Sequence, residues 1–210
     1  MLARLLTALA LTACAPAAPA SPTPPPASEG PYEEDTGWQA VTPGVEWREI
    51  VFAPNPETRR RVAIYATRID PAAVSFRVHY TPGAPRPITA WARETGADFI
   101  INGNFFTPEY TALGLLVSDG QRHGQSYVGY GGMFQVTGNH VRVRALALEP
   151  YQPGEPLDQA VQAFPMLLDP GGVPAYPESP TDRLSRRSVV GIDRAGRVLF
   201  IVTPASGLSL

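Results

Sequence analysis

The apolar run Asp98-Phe99-Ile100-Ile101 ends in Asn102-Gly103-Asn104-Phe105-Phe106, and far downstream Arg183, Arg186 and Arg187 precede the apolar run Val189–Ile192. A primary amide carries donors and an acceptor together, so Asn102 and Asn104 suit hydroxyl, amide or phosphate oxygens. Gly103 lets the backbone approach a ligand closely or take a positive φ. A guanidinium at the mouth of a strand suits planar, bidentate recognition of phosphate or carboxylate, and Arg187 stands closest to the strand. Residue types alone leave blander readings open. Asn102–Phe106 also fits a strand-end turn over an aromatic pair, and Arg183 and Arg186 also fit a solvated basic loop.

Composition removes several chemistries. The chain has 210 residues with 17 basic and 19 acidic side chains, and every basic one is Arg. Without Lys there is no Schiff-base catalysis, no Walker-type phosphate loop and no Lys base. The single Cys14 excludes an internal disulfide and a Cys-rich zinc site. His79, His123 and His140 are far apart with no H-x-x-x-H spacing, so a His-based zinc protease, a metal site and a cofactor are not expected. A formal charge of -2 supplies no electrostatic case for nucleic acid. Gly129-Tyr130-Gly131-Gly132 is glycine-dense but lacks the strand-to-helix setting of a dinucleotide fingerprint.

The elements that hold these residues read as strands and turns. Alternating apolar residues predict strands over 44–52 (with a bulge), 61–69 and 74–80, and the last places His79 on a polar face. Pro87 as a start and Gly96 as a stop predict a helix over 87–95, leading into a short strand over 98–101. Further strands are expected at 113–117, 132–136 and 140–143, with later apolar runs at 161–168 and 188–192. Asp193-Arg194-Ala195-Gly196 then turns into a last strand over 197–203. The expected class is α+β, a mixed and largely antiparallel sheet with a few helices in a single domain.

The N-terminal region reads differently. Residues 1–14 combine Arg4 with an apolar run from Leu5 to Ala13, too short to span a bilayer, as in a secretory leader. Leu11-Thr12-Ala13-Cys14 resembles the bacterial lipobox and marks Cys14 for lipidation. Residues 15–43 open with an Ala/Pro/Ser tract containing six prolines between Pro16 and Pro26, which suits a semi-rigid tether. The domain is expected over 44–210, outside the cytoplasm of a bacterium and held at the cell envelope by a membrane-inserted lipid.

Taken in order, four segments resemble the phosphodiester glycosidase family. Gly96-Ala97 leading into I-I-N-G-N-F-F is similar to the family's A-x-N-G-G-F-F. Leu113-Gly114-Leu115 with Asp119-Gly120 resembles G-L-x-x-x-D-G, and Ala163–Leu168 resembles Q-x-G-P-x-L. Arg187–Ile192 resembles R-x-A-I-G-I. The resemblance implies a single domain of that type and a glycosidase acting on a phosphodiester-linked saccharide. Asn102 and Arg187 would be catalytic, and Gly103, Asn104, Phe105 and Ser188 would bind substrate. Two departures stand out. Asn104 replaces the family's second Gly, and the family continues past G-L-S-L to an acidic L-D-G-G-x-S motif, whereas this chain reads Gly207-Leu208-Ser209-Leu210 and stops. Catalysis is therefore expected of the complete domain rather than of this chain alone. A non-catalytic glycan-binding or envelope-structural lipoprotein is the competing expectation.

Overall fold

The computed structural model describes residues 32–55, 60–176 and 185–204. The leader, Cys14, the proline tract, Arg183 and Gly207–Leu210 lie outside the described residues. Strands are numbered along the chain. One sheet holds β1 (Tyr32–Asp35), β2 (Gln39–Thr42), β3 (Val45–Asn55), β4 (Arg60–Ile69), β14 (Ser188–Ile192) and β15 (Val198–Val202), in the order β1-β3-β4-β15-β14, with β2 also on β3. A second holds β7 (Leu116–Ser118), β8 (Gln121–His123), β9 (Gly132–Thr137), β10 (His140–Ala145) and β11 (Gln159–Ala163), in the order β10-β9-β11-β7-β8. Two ribbons, β5 (Phe105–Phe106) with β6 (Ala112–Leu113) and β12 (Leu168–Asp169) with β13 (Val173–Pro174), complete the strands, and every pairing is antiparallel.

Alternation along the strands explains why the sheets stack. Val45, Ile69 and Val198 of the first sheet share one core with Phe134 and Val136 of the second. Phe76 fills it edge-on, its ring 5.7 Å from Phe134 and 6.0 Å from Phe200. A second buried cluster of Leu115, Val117, Met133, Leu146, Leu157 and Ala160 takes in the alternate residues of β7, β9 and β11. The second sheet is thus covered on both faces, which is why β9 is buried at four consecutive positions. Each fully buried aliphatic side chain contributes about 1.5–3 kcal/mol.

Several expectations change. Among the described residues the fold is mainly antiparallel β with a single helix, α1 (Ile88–Thr95), so the helical part of the α+β reading is small. The folded sheet starts before Gly44, because β1 and β2 pair with β3, so residues 32–35 and 39–42 belong to the sheet and not to the tether expected over 15–43. Residues 74–80 form no ladder. Their alternation reflects an extended segment whose Val74 and Phe76 enter the core, while the Val78 N–H donates to the Gln159 Oε1 at 3.0 Å and its carbonyl accepts from the Ser118 hydroxyl at 2.7 Å. Residues 98–101 are likewise irregular, and the expected strand 113–117 breaks at Gly114 into β6 and β7.

The turn between β14 and β15 is held by one carboxylate. Asp193 Oδ1 accepts from the N–H groups of Ala195 (2.8 Å) and Arg197 (2.9 Å), and Oδ2 accepts from Arg197 Nε at 2.8 Å. Burial pushes the Asp193 pKa up, but these hydrogen bonds and the guanidinium outweigh it and hold it below the ordinary 3.8. A carboxyl with a depressed folded pKa adds stability that is present above its unfolded value and is lost as pH falls through the folded one. The stability difference between the wild type and Asp193→Asn is therefore expected to be constant above about pH 5 and to shrink on acidification below about pH 4. Urea titrations across that range check it, and a difference that grows towards acid pH would show the sign to be wrong.

Candidate functional site

The approach to the site begins at α1. Gly96 closes the helix in the left-handed conformation (φ 63°), its N–H donating to the Ala92 carbonyl at 3.1 Å. The helix buries no residue fully and is steadied by ring contacts, with Trp91 5.5 Å from His79 and the Arg86 guanidinium 4.5 Å over Trp91. From Gly96 the chain runs without a ladder to Asn102. There the Asn102 Oδ1 accepts a hydrogen bond from the Ser188 hydroxyl at 2.6 Å, across 86 residues of sequence.

Ser188 is the first residue of β14, paired with Val202 of β15. The ladder extends one step further. The Arg187 N–H donates to the buried Thr203 hydroxyl at 2.7 Å, and the Thr203 N–H donates to the Arg187 carbonyl at 2.9 Å. Arg187 is therefore fixed at its backbone directly beside the Asn102–Ser188 contact.

The other side of the loop is set by β11. A Cβ at residue 103 would lie 3.0 Å from Val161 Cγ1, so glycine lets this backbone settle on the sheet. Asn104 has φ 60°, a conformation in which Asn is the best tolerated residue after Gly. Asn in place of the family's second Gly keeps that backbone and adds an amide. Its Oδ1 accepts from the Phe105 N–H at 2.6 Å, while its Nδ2 is buried without a hydrogen-bond partner.

Past Asn104 the surface turns aromatic. The Phe105 and Phe164 rings stand 4.7 Å apart, Phe164 and Tyr127 5.4 Å, and Tyr127 and Tyr130 5.0 Å. Phe105 and Phe164 are each 43% exposed and Tyr130 51%. The loop bearing Tyr127 hangs on Gln162, which is fully buried. Gln162 Oε1 accepts from the N–H groups of Leu115 (3.0 Å) and Tyr127 (2.9 Å), and its Nε2 donates to the Ser126 hydroxyl at 2.8 Å.

Of the expected site residues, Asn102, Gly103, Asn104 and Phe105 form one continuous loop that meets Ser188 next to Arg187. Gln162 and Tyr127 were not singled out in the sequence, and Phe164 and Tyr130 entered only within the Ala163–Leu168 and Gly129–Gly132 segments, with no site role; a Gln inside an otherwise apolar run was the available signal for Gln162. His123 is engaged elsewhere, its ring 4.9 Å from Tyr80. Among the described residues no group of three or more His, Cys, Asp or Glu side chains is placed to hold a metal ion. The carboxylates whose pKa is displaced (Asp35, Glu94, Asp119, Glu149 and Asp193) are all moved down. Hydrogen bonding from arginine is the largest cause in the first four, and in Asp193 the bonds described above outweigh burial. That is the direction of an ion-pair partner, not of a general acid.

The edge strand β14 of a stacked antiparallel β domain thus brings the Ser188 hydroxyl to the Asn102 amide, next to Arg187. The chain belongs to the phosphodiester glycosidase family, whose model matches residues 95–210, a stretch that includes every expected substrate-contacting residue. It is 26% identical over 114 residues to the uncharacterized protein YigE of Escherichia coli (strain K12), covering 49% of this chain and 43% of that protein. In fold it is similar to the catalytic domain of zebrafish N-acetylglucosamine-1-phosphodiester alpha-N-acetylglucosaminidase auto-inhibited by its pro-peptide. That likeness has a TM-score of 0.54 at 17% identity, over 81% of this chain and 66% of the zebrafish one. The chain thus spans under half of the curated relative's length and just under two thirds of the zebrafish domain.

Proposed function

We propose that this chain carries the sugar-phosphodiester site of a hydrolase that breaks the glycosidic bond between a sugar and a phosphodiester in an envelope or exopolysaccharide glycan. The observation that carries the reading is the 2.6 Å Ser188–Asn102 hydrogen bond beside Arg187, which brings together two motifs 86 residues apart. With the Asn102 carbonyl oxygen taken by Ser188, its two amide N–H groups are left to donate to a sugar hydroxyl or N-acetyl oxygen. Arg187 would hold the phosphate. Cleavage of the C1–O bond gives an oxocarbenium-like centre that takes up water and releases a proton to solvent, and the departing group is a phosphomonoester. Its second pKa is about 6, so it leaves at neutral pH without a proton, and a cation serves it better than a carboxylic acid. No raised carboxyl is then required on the leaving-group side.

The test is to incubate the complete domain with N-acetylglucosamine 1-(methyl phosphate). Free sugar and methyl phosphate are expected in equal amounts. Saturable binding with no product would instead favour a non-catalytic glycan-binding lipoprotein. Anchoring outside the cytoplasm through a lipid on Cys14 belongs to the same proposal and rests on the lipobox-like Leu11–Cys14. Cys14→Ser is expected to move the protein from the membrane to the soluble fraction, and retention in the membrane would remove the anchor.

A further inference from the structure

Beyond the Asn102 loop, the aromatic surface does not stop at the site. Phe105 leads to Phe164, and Phe164 leads to Tyr127, which also forms part of the wall of a cleft of about 420 Å³. Tyr127 is half-buried and its hydroxyl is satisfied by the Leu113 carbonyl at 3.0 Å, so it is a fixed wall rather than a mobile ring. Pro150, Tyr151 and Pro153 also line the cleft. Arg122 lines the same cleft. Its guanidinium donates to three neutral acceptors, the Tyr151 hydroxyl (3.3 Å), the Gly120 carbonyl (3.4 Å) and the Glu155 carbonyl (2.8 Å). No carboxylate pairs with it among the described residues, although Arg48, Arg61, Arg68, Arg77, Arg86, Arg142, Arg144 and Arg197 all have one. A positioned cation with its charge unmatched calls for an anion from outside the chain. Half-exposed rings in a contiguous patch mark a ligand-binding surface, and ring faces beside polar groups suit the apolar face and hydroxyl rim of a sugar.

We infer that Phe164, Tyr130 and Tyr127 form a stacking path from the Asn102 loop to the Arg122 cleft, and that the ligand is an oligosaccharide with a second anionic group one or more sugar units beyond the phosphodiester at Asn102. This rests on the reading that a sugar phosphodiester occupies the Asn102 loop, and it names the substrate as polymeric and repeatedly charged. Arg122 takes the distal phosphate or carboxylate, while the rings hold the intervening sugar.

The experiment compares two probes by calorimetric titration of the whole protein. One is N-acetylglucosamine 1-(methyl phosphate); the other is a short oligomer of N-acetylglucosamine joined by 1-phosphodiesters, with titrations made on a time scale short of hydrolysis. The oligomer is expected to bind at least about tenfold tighter, which is about 1.4 kcal/mol. Tyr130→Ala and Arg122→Gln are each expected to bring the ratio of oligomer to monomer affinity close to one. Both side chains are exposed, and melting curves confirm that the variants fold. Equal affinity for the two probes, or a ratio untouched by both variants, overturns the inference. A neutral oligomer of the same length that binds as tightly as the charged one also overturns it, because Arg122 then has no part. Length-dependent binding without any hydrolysis keeps the path and removes the hydrolase; hydrolysis with no length dependence does the reverse.

Discussion

Arg187→Ala is expected to lower turnover of a sugar 1-phosphodiester about 10²–10³-fold, the cost of removing one fixed charge-stabilising donor from a reacting centre. In the proposed reaction negative charge grows on the departing phosphate as the C1–O bond stretches, so a guanidinium holding it would matter more in the transition state than in the bound substrate. The loss is therefore expected mainly in kcat, with KM changed less. Two signatures separate this role from simple misfolding. Arg187→Lys should recover only part of the rate, because an ammonium restores the charge but not the planar two-pronged contact. A substrate whose departing phosphate is more acidic should be less sensitive to Arg187→Ala, since it needs less help to leave. The backbone bonds between Arg187 and Thr203 do not depend on the side chain, so β14 should remain in register. A variant with wild-type kcat would remove Arg187 from the chemistry.

The second large effect concerns stability. The Arg144 side chain is only 4% exposed and is paired with Glu155, with Glu149 3.3 Å away as a further partner. Its Nε is already buried without a hydrogen-bond partner. Removing the carboxylate leaves a guanidinium in the interior with its main counter-charge gone. Glu155→Ala is expected to destabilise the fold by about 3–5 kcal/mol, a large share of the 5–15 kcal/mol that holds a typical domain together. The cost lies in stranding the partner, so the double variant Arg144→Met/Glu155→Leu should recover most of it. Urea unfolding of the wild type and both variants decides the matter, and the double variant remains informative if the single one fails to fold. A loss below about 1 kcal/mol for Glu155→Ala would mean that solvent or Glu149 already neutralises Arg144. Arg144 is the last residue but one of β10, and Glu155 sits in the 146–158 connection, of which Pro150, Tyr151 and Pro153 line the Arg122 cleft. Weakening this pair should loosen the cleft as well as the fold.

Local signals explain what was legible in the sequence. Pro87 and Gly96 bracket α1 because both act on the backbone where they stand, and Asp193–Gly196 marks the β14–β15 hairpin for the same reason. The segment 74–80 misled because alternation reports which side chains are buried, not which backbone groups are paired. Within it, the Val78 N–H and C=O found partners in the Gln159 and Ser118 side chains, far away in sequence. The ribbons β5–β6 and β12–β13 have only two residues per strand, too few to show any period. Within the site, residue types pointed to Asn102 and Arg187 separately. Their adjacency depends on the Asn102–Ser188 hydrogen bond, which no spacing along the chain encodes. Gln162 was hidden for a related reason: a fully buried amide shows its purpose only through the Leu115, Ser126 and Tyr127 groups it satisfies.

The stretch shared with the family, residues 95–210, contains both partners of the Asn102–Ser188 contact and the whole β14–β15 hairpin. It does not contain β4, the other neighbour of β15, nor Val45 and Ile69, which close the core over Val198. Excised at that boundary, β15 would present a bare row of backbone donors and acceptors along an apolar strand, an invitation to pair with other copies. The limits of the family match and the limits of a closed core therefore fall at different places in this chain. A protein engineer seeking the smallest piece that holds the site must start upstream of β3.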